Sequence, residues 1–341
     1  MSDINKEDKT KFSYAFKQQI MKAWQPVPTI NSTIMLFAIL STIFLVFGIV
    51  LIILSNQIIE YSVRYDSECG DVKLVNQEDF KNNKLPNNSC KVNFDINENI
   101  EGPVFVYYEL DNFYQNHRRY VKSKNINQLQ GDNVSSSDLS DCEPVLYYKD
   151  LRKFKIIDDN LKDNMIANPC GLIAASYFNG YLIYFLLFLF FLIFIDTYVL
   201  ENKLNNQPVH ISNKDIAWPS DKENKFKRNK DYQNIQWLDV EDERFMVWMR
   251  TAALPNFRKL WGIIEKGLEK GFYTLNIENN YPVQRFNGKK LFVISTANAF
   301  GGKNKFLAIS YLVMGFICLL ILIVFIVKKI SNNKQKAQKS Q

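Results

Sequence analysis

The 341-residue sequence has few of the side chains that enzymes use for catalysis or for binding metals. It contains 2 histidines and 5 cysteines, and it has no C-x-x-C, H-E-x-x-H, G-x-S-x-G or glycine-rich phosphate-loop motif. These motifs mark zinc sites, metalloproteases, α/β-hydrolases and nucleotide-binding domains, because each supplies the ligands or nucleophile that the chemistry requires. We therefore expect no enzymatic activity, no cofactor and no metal site in this chain.

The excess of positive charge is not arranged as it is in nucleic-acid-binding proteins. The formal net charge is +7 at pH 7, but the basic residues are spread along the chain without a dense cluster that alternates with aromatic residues. A nucleic-acid surface concentrates its lysines and arginines in one patch. We expect no nucleic-acid partner.

Two long blocks of the sequence, residues 34–54 and 306–327, are apolar and contain no charged residue. Each is more than about twenty residues long, which as a helix spans roughly 30 Å, the thickness of the hydrocarbon core of a bilayer. No small-residue cleavage site follows the first block, which argues against a cleaved signal peptide. The sequence therefore predicts an integral membrane protein with two transmembrane helices.

The lysines that flank these blocks predict the orientation in the membrane. Lys11, Lys17 and Lys22 precede the first block, and the tail after the second contains lysines but no acidic residue: Lys328, Lys329, Lys334, Lys336 and Lys339. Basic residues near span ends stay on the cytosolic side. We predict that residues 1–33 and 328–341 are cytosolic tails and that residues 55–305 form a lumenal or extracellular domain.

Four cysteines lie in residues 55–305: Cys69, Cys90, Cys142 and Cys170. An even number of cysteines in an oxidising compartment indicates disulfides, and four allow three pairings. The simplest pairing joins sequence neighbours, Cys69 with Cys90 and Cys142 with Cys170. The same domain contains the N-glycosylation triplets that begin at Asn87 and Asn133, as a secretory-pathway location predicts.

Strand patterns predominate between the two spans. Residues 103–110 and 271–277 are rich in β-branched and aromatic residues, and the Asn-Gly pair within residues 285–290 predicts a type I′ hairpin. Residues 255–270 instead place apolar residues on one helical face. We predict an antiparallel sandwich-like, β-rich domain with inserted helices.

A third apolar run, residues 181–195, consists only of Phe, Leu, Ile and Tyr. As a third span it would place the lysine tail outside the cytosol, against the charge bias. All four amino acids have codons written solely with A and T, as the translation of an AT-rich intron would produce. We therefore predict that residues 180–195 are a retained intron. Its removal would join Asn179 to an Asp-Thr pair and create a further glycosylation triplet at Asn179.

Several unusual local sequences resemble one family. They include NFYQNHRRYVKS at residues 112–123, NPCG at 168–171, VWMRTAALPNFRKL at 247–260 and GGKN at 301–304. From about residue 12 to residue 327, the chain resembles the cell-division-control-protein-fifty family, also called the ligand-effect modulator or transmembrane protein thirty family.

The resemblance implies a function. Members of the family are noncatalytic β-subunits of type IV P-type ATPases, the phospholipid flippases, and catalysis resides in the ATPase. The implied partner is thus a P-type ATPase α-subunit, in a heterodimer that translocates phospholipids after leaving the endoplasmic reticulum. The implied location is the endoplasmic reticulum, Golgi, endosomal or plasma membrane. The first cysteine cluster departs from many relatives, which have two nested disulfides there.

The resemblance also suggests residues that contact the ATPase. These are Phe16, Trp24 and Pro26 before the first span, and Arg250 and Arg258 in the ectodomain. A purely structural interpretation makes Trp248 and Leu254 core residues and Trp24 an interfacial anchor. The alternative function is a two-span homo-oligomeric channel or receptor subunit, although the spans offer few polar side chains to line a pore: Ser41, Thr42, Ser310 and Tyr311.

Overall fold

The structure is a computed structural model that forms two units: Met1–Ser55 with Asn304–Gln341, and Asn56–Lys303. It describes residues 16, 17, 19, 28–73, 86–155, 157, 160–178, 196–204 and 207–339. Trp24, Pro26, Asn179 and the predicted intron, residues 180–195, lie outside the described residues.

The described part of the chain forms helices, two 3₁₀ turns and eight strands in an α+β order. The 3₁₀ turns are Ser136–Cys142 and Gln284–Phe286. In chain order the helices and strands are α1 (Ile30–Asn56), β1 (Glu60–Arg64), α2 (Asp66–Cys69), β2 (Ser89–Ile96), β3 (Val104–Leu110), α3 (Arg118–Lys122), α4 (Ile126–Leu129), α5 (Tyr148–Leu151), α6 (Leu172–Ala175), β4 (Thr197–Asn202), β5 (Gln207–Val209), α7 (Pro219–Asn224), α8 (Tyr232–Ile235), α9 (Glu243–Met249), β6 (Phe257–Ile264), β7 (Gly271–Glu278), β8 (Lys290–Ser295) and α10 (Lys305–Lys339).

The strands form two four-stranded antiparallel sheets, as the sequence predicts. Sheet 1 has the order β1-β8-β3-β6, and sheet 2 has the order β2-β7-β4-β5. Along β3, buried and half-buried residues alternate, because successive side chains of a strand point to opposite faces. The inner faces meet in one aromatic core, where the Phe292 ring of sheet 1 lies 6.4 Å from Phe94 and 5.0 Å from Tyr198 of sheet 2.

The predicted helix at residues 255–270 is wrong, because its first half is strand β6. Phe257, Lys259 and Trp261 are buried while Arg258 between them is exposed, which is strand and not helix periodicity. β6 pairs with β3 from Val104 to Leu110, and these inter-strand bonds outweigh a local helical preference. The chain then turns at Gly267, whose φ of 77° suits glycine.

The predicted hairpin at residues 285–290 is also wrong. Asn287 is left-handed, with φ 51° and ψ 38°, as an Asn-Gly turn requires. The flanking strands β7 and β8, however, belong to different sheets. The segment is therefore a crossover between sheets, because β8 finds its partners on β1 and β3.

Both predicted disulfides, Cys69–Cys90 and Cys142–Cys170, are present. The first joins α2 to the beginning of β2, and the second joins the 3₁₀ turn Ser136–Cys142 to the loop before α6. Cys142 and Cys170 are both buried in the core. This bridge therefore cross-links two parts of the long connection between β3 and β4, which lacks strands in its described part.

Helices α1 and α10 are each long and apolar enough to cross a membrane, and they pack against each other. Gly48 of α1 faces Leu312, and Gly315 of α10 faces Leu45 so closely that a Cβ atom on either glycine would lie 2.8 Å from a leucine Cγ. Ser41 Oγ donates a hydrogen bond to the Gly315 carbonyl at 3.2 Å. Small residues thus allow the close backbone approach that is common between membrane helices.

The chain enters and leaves the β-domain at neighbouring points. The Thr296 N–H donates to the Ile59 carbonyl at 3.0 Å, and the Ile59 N–H donates to Thr296 Oγ1 at 3.1 Å. These reciprocal bonds extend the β1–β8 ladder by one step beyond the Glu60–Ser295 pair. We call this pair of segments the neck.

A buried ion pair joins the two sheets. Lys290 Nζ lies 2.6 Å from Asp196 Oδ2, and the two side chains are 1% and 0% exposed. Asp196 also accepts hydrogen bonds from the Tyr65 hydroxyl at 2.8 Å and from the backbone N–H groups of Asn280 and Tyr281 at 2.5 and 2.8 Å. Burial lowers the pKa of Lys290, and the charge of Asp196 opposes that shift. These hydrogen bonds and the ammonium of Lys290 oppose the desolvation cost of the buried Asp196 carboxylate.

The residues on either side of the predicted intron both contact Tyr281. The Phe178 ring lies 4.9 Å from the Tyr281 ring, and the Tyr281 hydroxyl donates to the Ser176 carbonyl at 3.2 Å. On the other side, Asp196 accepts from the Tyr281 N–H. Phe178 and Asp196 are both buried, so the two flanks are close to each other in the core.

Candidate functional site

Two loops at one end of sheet 1 are bonded to each other. The first, residues 111–117, follows β3, and the second, residues 250–256, connects α9 to β6. The Phe113 N–H donates to the Pro255 carbonyl at 3.0 Å, Asn116 Nδ2 donates to the Ala253 carbonyl at 2.8 Å, and the Ala252 N–H donates to Gln115 Oε1 at 2.9 Å. We call these segments the paired loops.

Aromatic residues hold the paired loops on the core. The Phe113 ring lies 5.8 Å from Trp248 and 5.2 Å from Phe286. Trp248 is fully buried and donates from Nε1 to the Ile173 carbonyl at 2.8 Å. Phe113 and Trp248, which belong to the motifs at residues 112–123 and 247–260, therefore stabilise the core. This agrees with the structural interpretation of Trp248.

Other residues of the same motifs are displayed on the surface. Tyr114 is 56% exposed and Leu254 is 67% exposed, so the prediction that Leu254 belongs to the core is wrong. The reason is that Leu254 lies in the loop before β6, where the chain has left the sheet. Tyrosine is enriched at protein-binding surfaces, so the exposed Tyr114 and Leu254 make the paired loops a candidate contact surface.

A cationic helix adjoins the first loop. Arg118, Arg119 and Lys122 of α3 are exposed, and none of them forms an ion pair with another residue that the structure describes. Exposed charges without a partner favour association with an oppositely charged surface and increase the rate of encounter. The surface thus combines apolar anchors with positive charge.

Arg250 and Arg258, which the sequence suggests as partner contacts, both bind within the chain. The Arg250 guanidinium lies 3.9 Å from the Trp218 ring centroid and 2.8 Å from Asp221 Oδ2. It thereby holds Trp218, which is 59% exposed, beside the end of α9. Whether either arginine also contacts a partner stays a prediction.

Arg258 joins three strands of sheet 1. It lies 2.6 Å from Glu109 on β3 and 2.8 Å from Glu60 on β1, the opposite edge strand. Burial opposes the shift, but the hydrogen bonds that Arg258 donates to Glu60 and Glu109 raise the pKa of Arg258. Its pairing therefore stabilises the sheet. Phe16, the remaining described candidate, is helical and exposed.

Lys259 anchors the second of the paired loops from inside the protein. Its Nζ donates to the carbonyl oxygens of Val247 and Trp248 at 3.3 Å and to that of Arg250. These are terminal carbonyls of α9, which lack helical partners and attract cations. Burial, together with the positive charge of Arg250, nevertheless lowers the pKa of Lys259 to about 7.

This buried lysine predicts a pH dependence of stability. Between pH 7 and the ordinary lysine value of 10.5, the unfolded chain holds a proton that the folded chain lacks, so higher pH favours folding. The free energy of unfolding should rise by up to about 1.4 kcal/mol per pH unit in this window. Lys259→Met should flatten this slope in denaturant titrations of the purified full chain in detergent. Lys91→Met, at an exposed strand position, is the control; equal slopes in both variants would contradict the assignment.

The candidate glycosylation residues Asn87 and Asn133 are both exposed. Asn87 Oδ1 accepts a hydrogen bond from the Ser89 N–H at 2.9 Å, and Asn133 Oδ1 accepts one from Asn229 Nδ2, also at 2.9 Å. Among the described residues, no group of three or more His, Cys, Asp and Glu side chains is placed to hold a metal ion.

Two apolar terminal helices and an intervening disulfide-bonded antiparallel sandwich define a class, the integral membrane proteins with one large domain outside the bilayer. Within that class, residues 51–335 match the LEM3 (ligand-effect modulator 3) family, also described as the CDC50 family. The chain belongs to this family.

Curated relatives are similar over most of their length. Cell cycle control protein 50A of Mus musculus is 37% identical, with 92% of this chain and 87% of the relative aligned. ALA-interacting subunit 3 of Arabidopsis thaliana is 36% identical, over 91% and 83%. Phospholipid-transporting ATPase accessory subunit CRF1 of Saccharomyces cerevisiae is 30% identical, over 93% and 84%.

Proposed function

We propose that this chain is the noncatalytic accessory β-subunit of a type IV P-type ATPase that transports phospholipids. The main support for this proposal is that most of the chain matches the family. A yeast relative is, in addition, named as an accessory subunit of a phospholipid-transporting ATPase. Catalysis would reside in the partner. The accessory chain would support folding of the ATPase, its exit from the endoplasmic reticulum and phospholipid translocation.

The proposed orientation places residues 1–33 and 328–341 in the cytosol and residues 55–305 on the lumenal or extracellular side. The lysine-rich tail supports it, and so do two disulfides in the domain between the spans. Asn87 and Asn133 would then carry glycans, in the endoplasmic reticulum, Golgi, endosomal or plasma membrane.

The paired loops and α3 are the proposed contact with the ATPase on that side of the membrane. Tyr114 and Leu254 supply exposed apolar area, and α3 supplies positive charge for acidic loops of the pump. On the cytosolic side we propose Phe16, Trp24 and Pro26 as contacts. An accessory subunit of this kind can act on the pump only by binding one of its conformations more tightly than another.

Affinity purification of the tagged full chain in mild detergent tests the proposal. We expect to recover a complex of one tagged chain with one large P-type ATPase. Recovery of a homo-oligomer without such an ATPase would instead support a channel or receptor subunit and would contradict the proposed function.

We propose further that residues 180–195 are absent from the mature chain. Deleting them should leave the thermal unfolding temperature and the recovery of the ATPase unchanged, because both flanks already pack on Tyr281. Deletion of residues 161–176, an equally long segment that includes Cys170 and α6, is the control and should prevent folding. Sequencing of the transcript decides the matter directly: a dominant message that retains these codons would contradict the proposal.

A further inference from the structure

The loop between β8 and α10, residues 296–304, is folded tightly and displays one apolar side chain. The Asn298 and Gly301 backbones exchange hydrogen bonds at 3.1 and 2.9 Å, and the Phe300 N–H donates to Asn298 Oδ1 at 2.9 Å. Gly301 has a φ of 97°, a conformation that suits glycine. Phe300 lies at the tip and is 69% exposed.

The surroundings of Phe300 resemble those of an interfacial anchor. Lys303 and Lys305 follow Phe300 closely in the sequence and are both exposed, and no acidic residue follows Ser295. An apolar ring next to lysine side chains matches the boundary of a bilayer, where apolar groups reach the acyl chains and ammonium groups stay among the lipid phosphates.

The chain length keeps Phe300 near the membrane. Helix α10 begins at Lys305, five residues later, so the two Cα atoms are at most roughly 17 Å apart. The headgroup layer of a bilayer adds about 5–8 Å on each side of the hydrocarbon core. The neck also holds Thr296, at the base of the loop, against Ile59, three residues after α1 ends at Asn56.

We propose that the loop at residues 296–304 is a membrane-interface anchor, in which Phe300 inserts among phospholipid headgroups of the leaflet next to the ectodomain. The anchor needs α10 to span the bilayer, but it does not need the ATPase. It would restrain the end of the β-domain that follows α1 and precedes α10 in the chain.

Fluorescence quenching in lipid tests the anchor. The full-length Phe300→Trp variant is reconstituted alone into phosphatidylcholine nanodiscs whose lipids are brominated near the glycerol end of one acyl chain. After subtraction of the wild-type emission, about half of the added emission should be quenched, since interfacial side chains lie roughly 5–10 Å deep.

Leu254→Trp is the matched control. Leu254 is also an exposed apolar loop residue, but it lies next to β6 residue Phe257, at the end of sheet 1 that is opposite the Ser295 pairing. Its added emission should be unaffected by the brominated lipids. Ala299→Trp, at the neighbouring exposed position, provides a second probe if Phe300→Trp does not fold.

Three results are possible with these probes. Quenching at residue 300 or 299 above that at residue 254 supports the anchor. Equal quenching at all positions overturns it. A change in emission that appears only when the ATPase is added, without quenching by lipid, assigns the loop to a protein contact and also overturns the anchor. None of these results depends on which pump the chain binds.

Discussion

Asp196→Ala should lower the free energy of unfolding by about 3–5 kcal/mol, because it leaves the Lys290 ammonium buried without a counter-charge. The mutation also removes the acceptor for the Tyr65 hydroxyl and for two backbone N–H groups. Burial already lowers the pKa of Lys290, so the variant chain would fold with this lysine neutral or not fold at all. Denaturant titration of the purified full chain in detergent measures the loss.

The exposed ion pair Arg64–Asp66 provides a matched control. Arg64 is 47% exposed and lies 2.7 Å from Asp66, so Arg64→Gln should cost far less than Asp196→Ala, because solvent screens an exposed ion pair. In the double variant Asp196→Ala/Lys290→Met, part of the lost stability should return, because no unpaired charge remains in the core. A cost of Asp196→Ala as small as that of Arg64→Gln would contradict the structural importance of the buried pair.

Leu254→Asp should weaken binding of the ATPase by about thirty-fold or more, if the paired loops are the contact. Those few central residues of a protein interface that act as hot spots contribute about 2 kcal/mol or more, and an introduced carboxylate would also have to be desolvated. Leu254 is exposed in the free chain, so its replacement should hardly change the stability of the fold. Titration of the detergent-solubilised ATPase with the purified chain measures the affinity.

Leu204→Asp is the control for this experiment. Leu204 is also an exposed leucine in a turn, at the end of β4, but it is not part of the paired loops. We expect the Leu204→Asp variant to bind the ATPase with the same affinity as the unchanged chain. Equal affinities of the two variants, with equal thermal unfolding, would contradict the proposed contact but leave the accessory function intact.

Local patterns in the sequence were sufficient to predict several parts of this fold. The two long helices follow from uncharged apolar blocks, which have no other stable environment. Strands β3 and β7 follow from their β-branched and aromatic residues. The disulfide pairing follows from spacing, because the two loops it closes are short and independent.

The structural features that the sequence did not predict have a common physical origin. Each of these features depends on contacts between residues that are distant in the sequence. The sequence of residues 255–270 places apolar residues at helical spacing, but β6 within it takes its conformation from β3, about 150 residues earlier. Asp196 and Lys290 are separated by 94 residues, and nothing near either one indicates the other. The exposure of Leu254 depends on where β6 begins, which the sequence around Leu254 does not indicate.

The neck also determines how the domain would respond to force. Because β1 begins and β8 ends at the same end of their ladder, separating the two membrane helices would pull these antiparallel strands apart like a zipper. The Ile59–Thr296 bonds would break first, and the ladder pairs would then break one after another. Such loading is the mechanically weak direction of a β-ladder. The β-domain thus favours motions in which both helices shift together, and its first resistance to splaying is those few terminal bonds, in addition to the packing of α1 against α10.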